Sequence, residues 1–326
     1  MLGNLDLRRL RYFVKVAELG SLTRAAEALH VAQPALSQHM RSLEDALSVK
    51  LLARGPRGVA ATEAGQRLLD EARALLSGVK TMAERVRGDA REPEGEVVIG
   101  IGQTIGSILM VPLLELAAKR FPRVRIQIRE MLSGLLPEFV RSGAVDFAIS
   151  YNTTSGNGIE AISVLSEEMY LVGQRRLAQR YLVKSLKGNV PVKALAGIPL
   201  YLSRRTHILR ELIERVARDK HVALNLLAEV DSLYIMKELA LGGTGFCVLS
   251  RANVRRELEH HDLYVARIVQ PVVRRDICLV RRSGGALPRA AHELALLAVD
   301  VLAGMVKDDV WRGTLRPNLA DIRKSF

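Results

Sequence analysis

Apolar residues recur with a helical period from the start of the chain. Leu10, Phe13, Val14 and Ala17 share one side of a first predicted helix, with Asp6 placed to cap it and Gly20 to stop it. Ser21 can cap a second helix with Leu22, Ala25, Ala26 and Leu29 inside, and the alanine pair allows another helix to come close. Only His30, Val31 and Ala32 separate it from "QPALSQHMRSLEDAL", where Leu36, Met40, Leu43 and Leu47 are spaced 4, 3 and 4. Pro34 suits the first helical position, where an N–H has no partner within the helix anyway. Ser37, Gln38, His39 and Arg41 stay off the stripe and are expected to project outward. Two short amphipathic helices joined by a three-residue turn make a helix-turn-helix unit.

The next pattern is extended. In "SVKLLARGPRGVAAT", Gly55, Pro56 and Gly58 mark a turn between two short arms flanked by Lys50, Arg54 and Arg57, a basic hairpin or wing. Thr62 then caps a long predicted helix on which Leu68, Ala72, Leu75, Val79, Met82 and Val86 recur at 4, 3, 4, 3, 4. At 1.5 Å per residue it is about 40 Å long, and its stripe reads as a dimer seam. "GDAREPEGE" follows as a linker. Beyond it, β-branched runs near Val97–Ile101, Val124–Arg129, Val145–Ser150, Leu224–Glu229 and Phe246–Leu249 alternate with helical patterns near Ile105–Arg120, Leu135–Ser142, His207–Asp219 and Leu233–Leu241. Such alternation predicts mostly parallel sheets with helices on both faces. A break near Ser166–Arg176 suggests two lobes.

The expected division is a winged helix-turn-helix over 1–62, a linker helix over 63–92 and a two-lobed α/β domain over 93–306, ending in a tail over 307–326. Lobe 1 takes 93–166 and 270–306, and lobe 2 takes 167–269.

Composition adds a partner to this picture. The chain of 326 residues is 48% hydrophobic and 4% aromatic, as in ordinary soluble proteins, and long enough for two or three cores. Its 48 Lys and Arg exceed its 35 Asp and Glu, a formal +13 that favours a polyanion. Residues 1–62 hold nine of the basic residues against five acidic ones, a local +4. No secretory signal opens the chain and no apolar run of about 18 residues occurs, so a cytoplasmic protein with no membrane partner is expected. Cys247 and Cys278, each inside an apolar run, read as reduced core thiols. The scattered histidines lack metal-ligand spacing, and nothing calls for a cofactor or a catalytic group.

The stretches "LRRLRYFVKVAELGSLTRAAEALHVAQPALSQHMRSLEDALSVKLLAR", "RGVAATEAG", "GEVVIGIG", "LAAKRFPRVRIQI", "SGAVDFAIS" and "GTGFCVLS" resemble the LysR-type transcriptional regulators over nearly the whole chain. Within that family the resemblance points to the branch containing nitrogen-assimilation control regulators. It implies a periplasmic-binding-protein-like effector domain, a small-molecule effector, binding to double-stranded DNA and a homotetramer built from dimers, with RNA polymerase as a further partner. Two positions depart from the family pattern. Ala32 stands where Ser or Thr is usual, removing a cap worth about 1 kcal/mol, and Leu51-Leu52 replaces Leu-Phe at the wing.

Helix-turn-helix units meet base edges with the first residues of their second helix. Gln33 and Gln38 have amides suited to adenine, Ala35 suits a thymine methyl, Ser37 a base or phosphate, and Arg41 guanine or phosphate, with Pro34 in the same first turn. Arg54 and Arg57 are expected on phosphate or in the minor groove.

In "IGIGQTIG", Gly100, Gly102 and Gly106 imitate a dinucleotide fingerprint, and a nicotinamide-dependent enzyme built on that turn is the alternative function. The spacing is G-x-G-x-x-x-G, and no acidic ribose anchor follows about 20 residues on. Thr104 instead begins a helix whose free N–H groups attract an anion, and the resemblance implies an effector contact there. Gln103, Thr104 and Ser133 on one lobe, with Ser203 and Arg204 on the other, are the expected effector-binding set, for a carboxylate or other anion.

Overall fold

The computed structural model describes residues 5–55, 58–87, 92–182 and 188–316. Its first unit is built from α1 (Leu7–Leu19), α2 (Leu22–Leu29) and α3 (Gln33–Leu47). Asp6 caps α1 by accepting from Arg9 N at 2.7 Å, and Ser21 caps α2 by accepting from Arg24 N. Phe13, Val16, Leu22, Ala25, Leu36, Met40 and Leu43 fill the core. Val16 takes the inner place expected for Val14 and Ala17, which pack at the edge, because the buried face of α1 runs through Leu10, Phe13 and Val16 at an even spacing of three. The stripe on α3 also ends early: Leu47 is exposed, since the last turn extends beyond the core. Pro34 stands one residue inside α3, still among the N–H groups that lack a helical partner.

The wing is a hairpin of β1 (Leu52–Gly55) and β2 (Gly58–Ala61). Val59 N donates to Gly20 O at 2.9 Å, tying the wing to the end of α1. A Cβ on Gly58 would lie 2.4 Å from that same carbonyl, so the close approach requires glycine. Thr62 Oγ1 accepts from Gly65 N at 3.0 Å and so caps α4 (Glu63–Arg87). The first turns of α4 lie on α1, with Leu69 and Ala72 buried and Arg73 paired to Glu18 at 3.0 Å.

Lobe 1 contains β3 (Gly95–Gly102), α5 (Gln103–Arg120), β4 (Val124–Met131), α6 (Leu136–Arg141) and β5 (Phe147–Tyr151). β6 (Ile159–Gln174) then leaves it for lobe 2, which adds α7 (Arg175–Tyr181), β7 (Asn189–Pro191), β8 (Pro199–Leu202) and α8 (Ile208–Asp219). It continues with β9 (Asn225–Glu229), α9 (Leu233–Gly242), β10 (Phe246–Ser250), α10 (Arg255–His260) and β11 (Leu263–Val269). The chain returns through β12 (Arg274–Arg282), α11 (Arg289–Lys307) and β13 (Gly313–Leu315). β3 pairs in parallel with β4 and β5, and β8 with β9 and β10, as the alternating pattern predicts.

The expected break near 166–176 is instead continuous strand. The first part of β6 pairs with β12 in lobe 1, the last part with β10 and β11 in lobe 2. The lobes are therefore joined by extended backbone, which carries its ladder hydrogen bonds from one sheet into the other. The expectation of a tail from residue 307 also needs correction. β13 pairs with β6, and Trp311 is fully buried, because its indole N–H finds a buried carboxylate there.

Candidate functional site

The first site is the outer side of α3. Gln33, Pro34, Ala35, Gln38 and Arg41 are exposed over a helix whose opposite face is locked into the core. Ala32 makes no side-chain cap, as its identity dictates. Two outward expectations are corrected. Ser37 is buried and accepts from Arg54 Nη2 at 3.2 Å, so the first turn of α3 is clasped by the wing. His39 packs its ring against Tyr12, with Nε2 at 3.3 Å from Arg8 Nη2, because α1 crosses α3 at that level. Arg54 remains exposed; Arg57 lies outside the described residues.

Glu44, which the apolar pattern conceals, fixes the wing. Its Oε1 accepts from Leu51 N at 2.9 Å and Leu52 N at 3.1 Å, and Oε2 from Lys50 Nζ at 2.8 Å. Burial alone would raise its pKa, but the Lys50 bond and the two backbone donors outweigh it and hold the carboxyl below its ordinary value.

The stripe expected as a dimer seam divides in two. Ala72 is buried and Leu68 packs against the winged-helix core, so these two are satisfied within the chain. Leu75, Met82 and Val86 are exposed, with Val79 half-buried beside them.

The second site lies between the lobes, at the start of α5. Thr104 is buried there, its Oγ1 2.6 Å from Tyr151 Oη and 3.5 Å from Arg275 Nη2. The Arg275 guanidinium stacks 3.6 Å from the centre of the Tyr151 ring. Its Nε donates to Glu167 Oε1 at 2.6 Å, while Trp311 Nε1 donates to Glu167 Oε2 at 2.7 Å. Burial raises the pKa of Tyr151 well above the ordinary phenol range, so it stays protonated. From lobe 2, Asn253 Nδ2 donates to Thr104 O at 2.9 Å, and Leu233 N donates to Gln103 Oε1 at 3.2 Å. Gln103 thus clasps the first turn of α9 across the cleft.

Ser133, buried on the loop after β4, sits beside Gly102, next to the Tyr151 ring. The neighbouring Gly134 faces the lobe 2 loop, where a Cβ would lie 2.9 Å from Thr206 O. That loop holds buried Ser203, whose carbonyl accepts from Arg210 Nη1 at 2.9 Å. Arg204, expected to face the effector, is corrected: its side chain is exposed and paired with Asp231, which also accepts from Arg204 N at 3.1 Å. His207 caps α8 from the same loop. Burial first, then the positive charge of Arg275, pushes its pKa down to about 4, so the ring is neutral.

In "IGIGQTIG", a Cβ on Gly100 would lie 2.8 Å from the Leu136 side chain, so this glycine admits α6, while one on Gly106 would make only ordinary contacts 3.5 Å from Glu130 and Ile101. Gly100 thus has a packing role in place of the dinucleotide one. Among the described residues no cluster of three metal-ligating side chains occurs, and no helix is long and apolar enough to cross a membrane.

Tyr151, Glu167, Asn253, Arg275 and Trp311 were not singled out in the sequence. A signal existed for two of them. In "RRDICLV" the period of two puts Arg275 on the side of Ile277 and Leu279, and in "SEEMYLV" it puts Glu167 with Met169 and Leu171. Both carboxylate and guanidinium are buried, and Glu167 of β6 stands opposite Arg275 of β12 in the ladder.

Two family models match: "Bacterial regulatory helix-turn-helix protein, lysR family" over residues 7–66 and "LysR substrate binding domain" over 90–303. The nitrogen assimilation regulatory protein nac of Klebsiella aerogenes is 30% identical over 92% of this chain and 96% of its own. A full-length OxyR variant from Pseudomonas aeruginosa superposes with a TM-score of 0.75 at 22% identity, covering 90% of this chain and 98% of that one. CbnR, solved in complex with its target DNA, gives a TM-score of 0.53 at 24% identity, covering 91% of this chain and 99% of that one.

Proposed function

Since the chain belongs to the LysR family of DNA-binding transcriptional regulators, with an effector-binding domain following the helix-turn-helix, we propose that it reads its operator through α3 and answers to a small anionic effector held between its lobes. The observation that carries the reading is the exposed row Gln33, Ala35, Gln38 and Arg41 on a helix whose opposite face is buried, with Arg54 bonded to its Ser37. Amide and guanidinium groups on a rigid helix suit major-groove base edges, and the wing arginine suits phosphate. The cleft is favoured for the effector because Thr104 stands at the positive end of α5, Ser133 lies beside Gly102, and the lobe 2 loop that holds Ser203 comes up to Gly134 through Thr206 O.

An apolar stripe of Leu75, Val79, Met82 and Val86 supports dimerisation through α4, and dimers of dimers are the assembly proposed. A cytoplasmic location and contact with RNA polymerase belong to the same reading. Ligand acts by binding one arrangement of the assembly better than another, since equal affinity for both would shift nothing. Activation of hydrogen peroxide-inducible genes, named for several relatives, is not carried over. Cys247 and Cys278 lie in different lobes, and burial pushes their thiols up to about 12 and about 11, away from reactive thiolate.

The test has two arms on the full chain. Fluorescence anisotropy on duplex DNA should give tight, salt-dependent binding that Arg41→Ala weakens. A thermal-shift screen of small carboxylates, inorganic anions and neutral metabolites should return a stabilising anion. Absence of duplex binding refutes the operator arm, and stabilisation by neutral compounds alone refutes the anionic one.

A further inference from the structure

The Thr104 corner holds two polar groups that the protein leaves without partners. Arg275 Nη1 and Ser133 Oγ are both buried side-chain atoms with no hydrogen bond, in residues only 1% exposed. A buried donor without a partner destabilises the chain, more so when charged, so two such groups here require an explanation. Tyr151 links them. One edge of its ring flanks Gly102, which adjoins Ser133, while its face carries the Arg275 guanidinium.

We propose that Arg275 is the anchor of the effector site, and that the ligand is a compact oxyanion lying between the Nη1/Nη2 end of its guanidinium, the Ser133 hydroxyl and the Thr104 hydroxyl. The proposal rests on the effector reading above and assigns it a residue, a ligand class and a size.

Glu167 occupies Nε and Thr104 Oγ1 lies 3.5 Å from Nη2, so Nη1 and the second N–H of Nη2 are left to face two oxygens of one anion. The Arg275–Glu167 pair is neutral as a unit, and an anion at the fork gains the α5 dipole without a net cation having been stored. Thr104, Ser133 and Arg275 are all buried, so the proposed ligand is a compact one, a single carboxylate or an inorganic oxyanion of similar bulk. The rear of the site contains its own reporter. Trp311, the one tryptophan in the chain, donates to the carboxylate that holds Arg275, so a change at the fork reaches the indole through Glu167.

The experiment uses the full-length chain and four probes at constant ionic strength: acetate, oxalate, sulfate and inorganic phosphate. Trp311 emission is titrated, with calorimetry as a check. At least one probe should bind saturably at millimolar or lower concentration, and which one distinguishes a carboxylate from an inorganic effector. Arg275→Lys keeps the charge beside Glu167 but loses the fork, and should weaken binding about tenfold or more. Ser133→Ala removes an unpaired group, so the free protein should melt no lower than wild type while affinity for the probe falls severalfold. If the lysine variant does not fold, Ser133→Ala decides alone. No saturable binding by any probe overturns the proposal. Unchanged affinity in the variants overturns Arg275 as anchor but leaves an effector cleft resting on Thr104 and Ser203, a separable failure.

Discussion

Arg54 on the wing donates from Nη2 to Ser37 Oγ in the first turn of α3, across 3.2 Å. The two elements meant for DNA are thus held to one another before any DNA arrives. Arg54→Ala should weaken binding to all duplex sequences and reduce the slope of log affinity against log salt by about one unit, one phosphate contact's worth. Arg57→Ala is expected to act alike. Unchanged slopes in both variants would remove the wing from the phosphate contacts.

Glu44 gives the winged helix a pH signature. Its folded pKa lies below its ordinary value near 4.5, so its stabilisation is complete above about that pH and is lost as pH falls through the lower folded value. Glu44→Gln keeps the shape and loses the charge, and should reduce stability at neutral pH by about 1 kcal/mol. Urea unfolding of both proteins checks the sign, since the gap between them should narrow towards acid. A gap that stays constant to about pH 3 would contradict the role of the ionised carboxylate.

The seam prediction uses the exposed part of α4. Val79→Asp combined with Met82→Asp would bury charge against a symmetry mate, and should convert the assembly to monomers in light scattering. Ala72→Asp would instead unfold the winged helix, because Ala72 is already covered by its own chain. A dimer that survives the double change places the interface elsewhere.

Helix period and capping residues made the DNA-binding unit legible, since Asp6, Ser21, Gly20 and Thr62 do locally what their chemistry dictates. Long-range pairing was far less so. β6 reads as a break because its lower half answers to β12, more than 100 residues later, and its upper half to β10 and β11. Around the cleft the sequence drew attention to Gln103, Thr104, Ser133 and Ser203, which sit at element ends. Arg275, Glu167 and Trp311 lie within or beyond strands, and only the third dimension brings them to Thr104. Arg204 misled for the complementary reason: a charge beside a helix start is expected to face the cleft, yet Asp231 draws it to the surface.

Thr104→Val removes the hydroxyl proposed to meet the ligand and keeps the side-chain shape. Affinity for an anion returned by the thermal screen should fall roughly 10–150-fold, the value of one hydrogen bond to a charged group. DNA affinity without ligand should stay near wild type, because Thr104 lies in another domain from Gln38. Normal ligand affinity in this variant would reduce Thr104 to a structural partner of Tyr151.

The claim that α3 reads bases is tested most directly by selecting duplexes from a random pool with wild type and with Gln38→Ala. Wild type should enrich a two-fold related motif, as a dimer of winged helices requires. Gln38→Ala should enrich the same motif with preference relaxed at one position in each half-site, at about 1–3 kcal/mol of lost discrimination, and its ligand affinity should not change. Enrichment of no motif by wild type, or an identical motif from the variant, would contradict base reading by this face of α3.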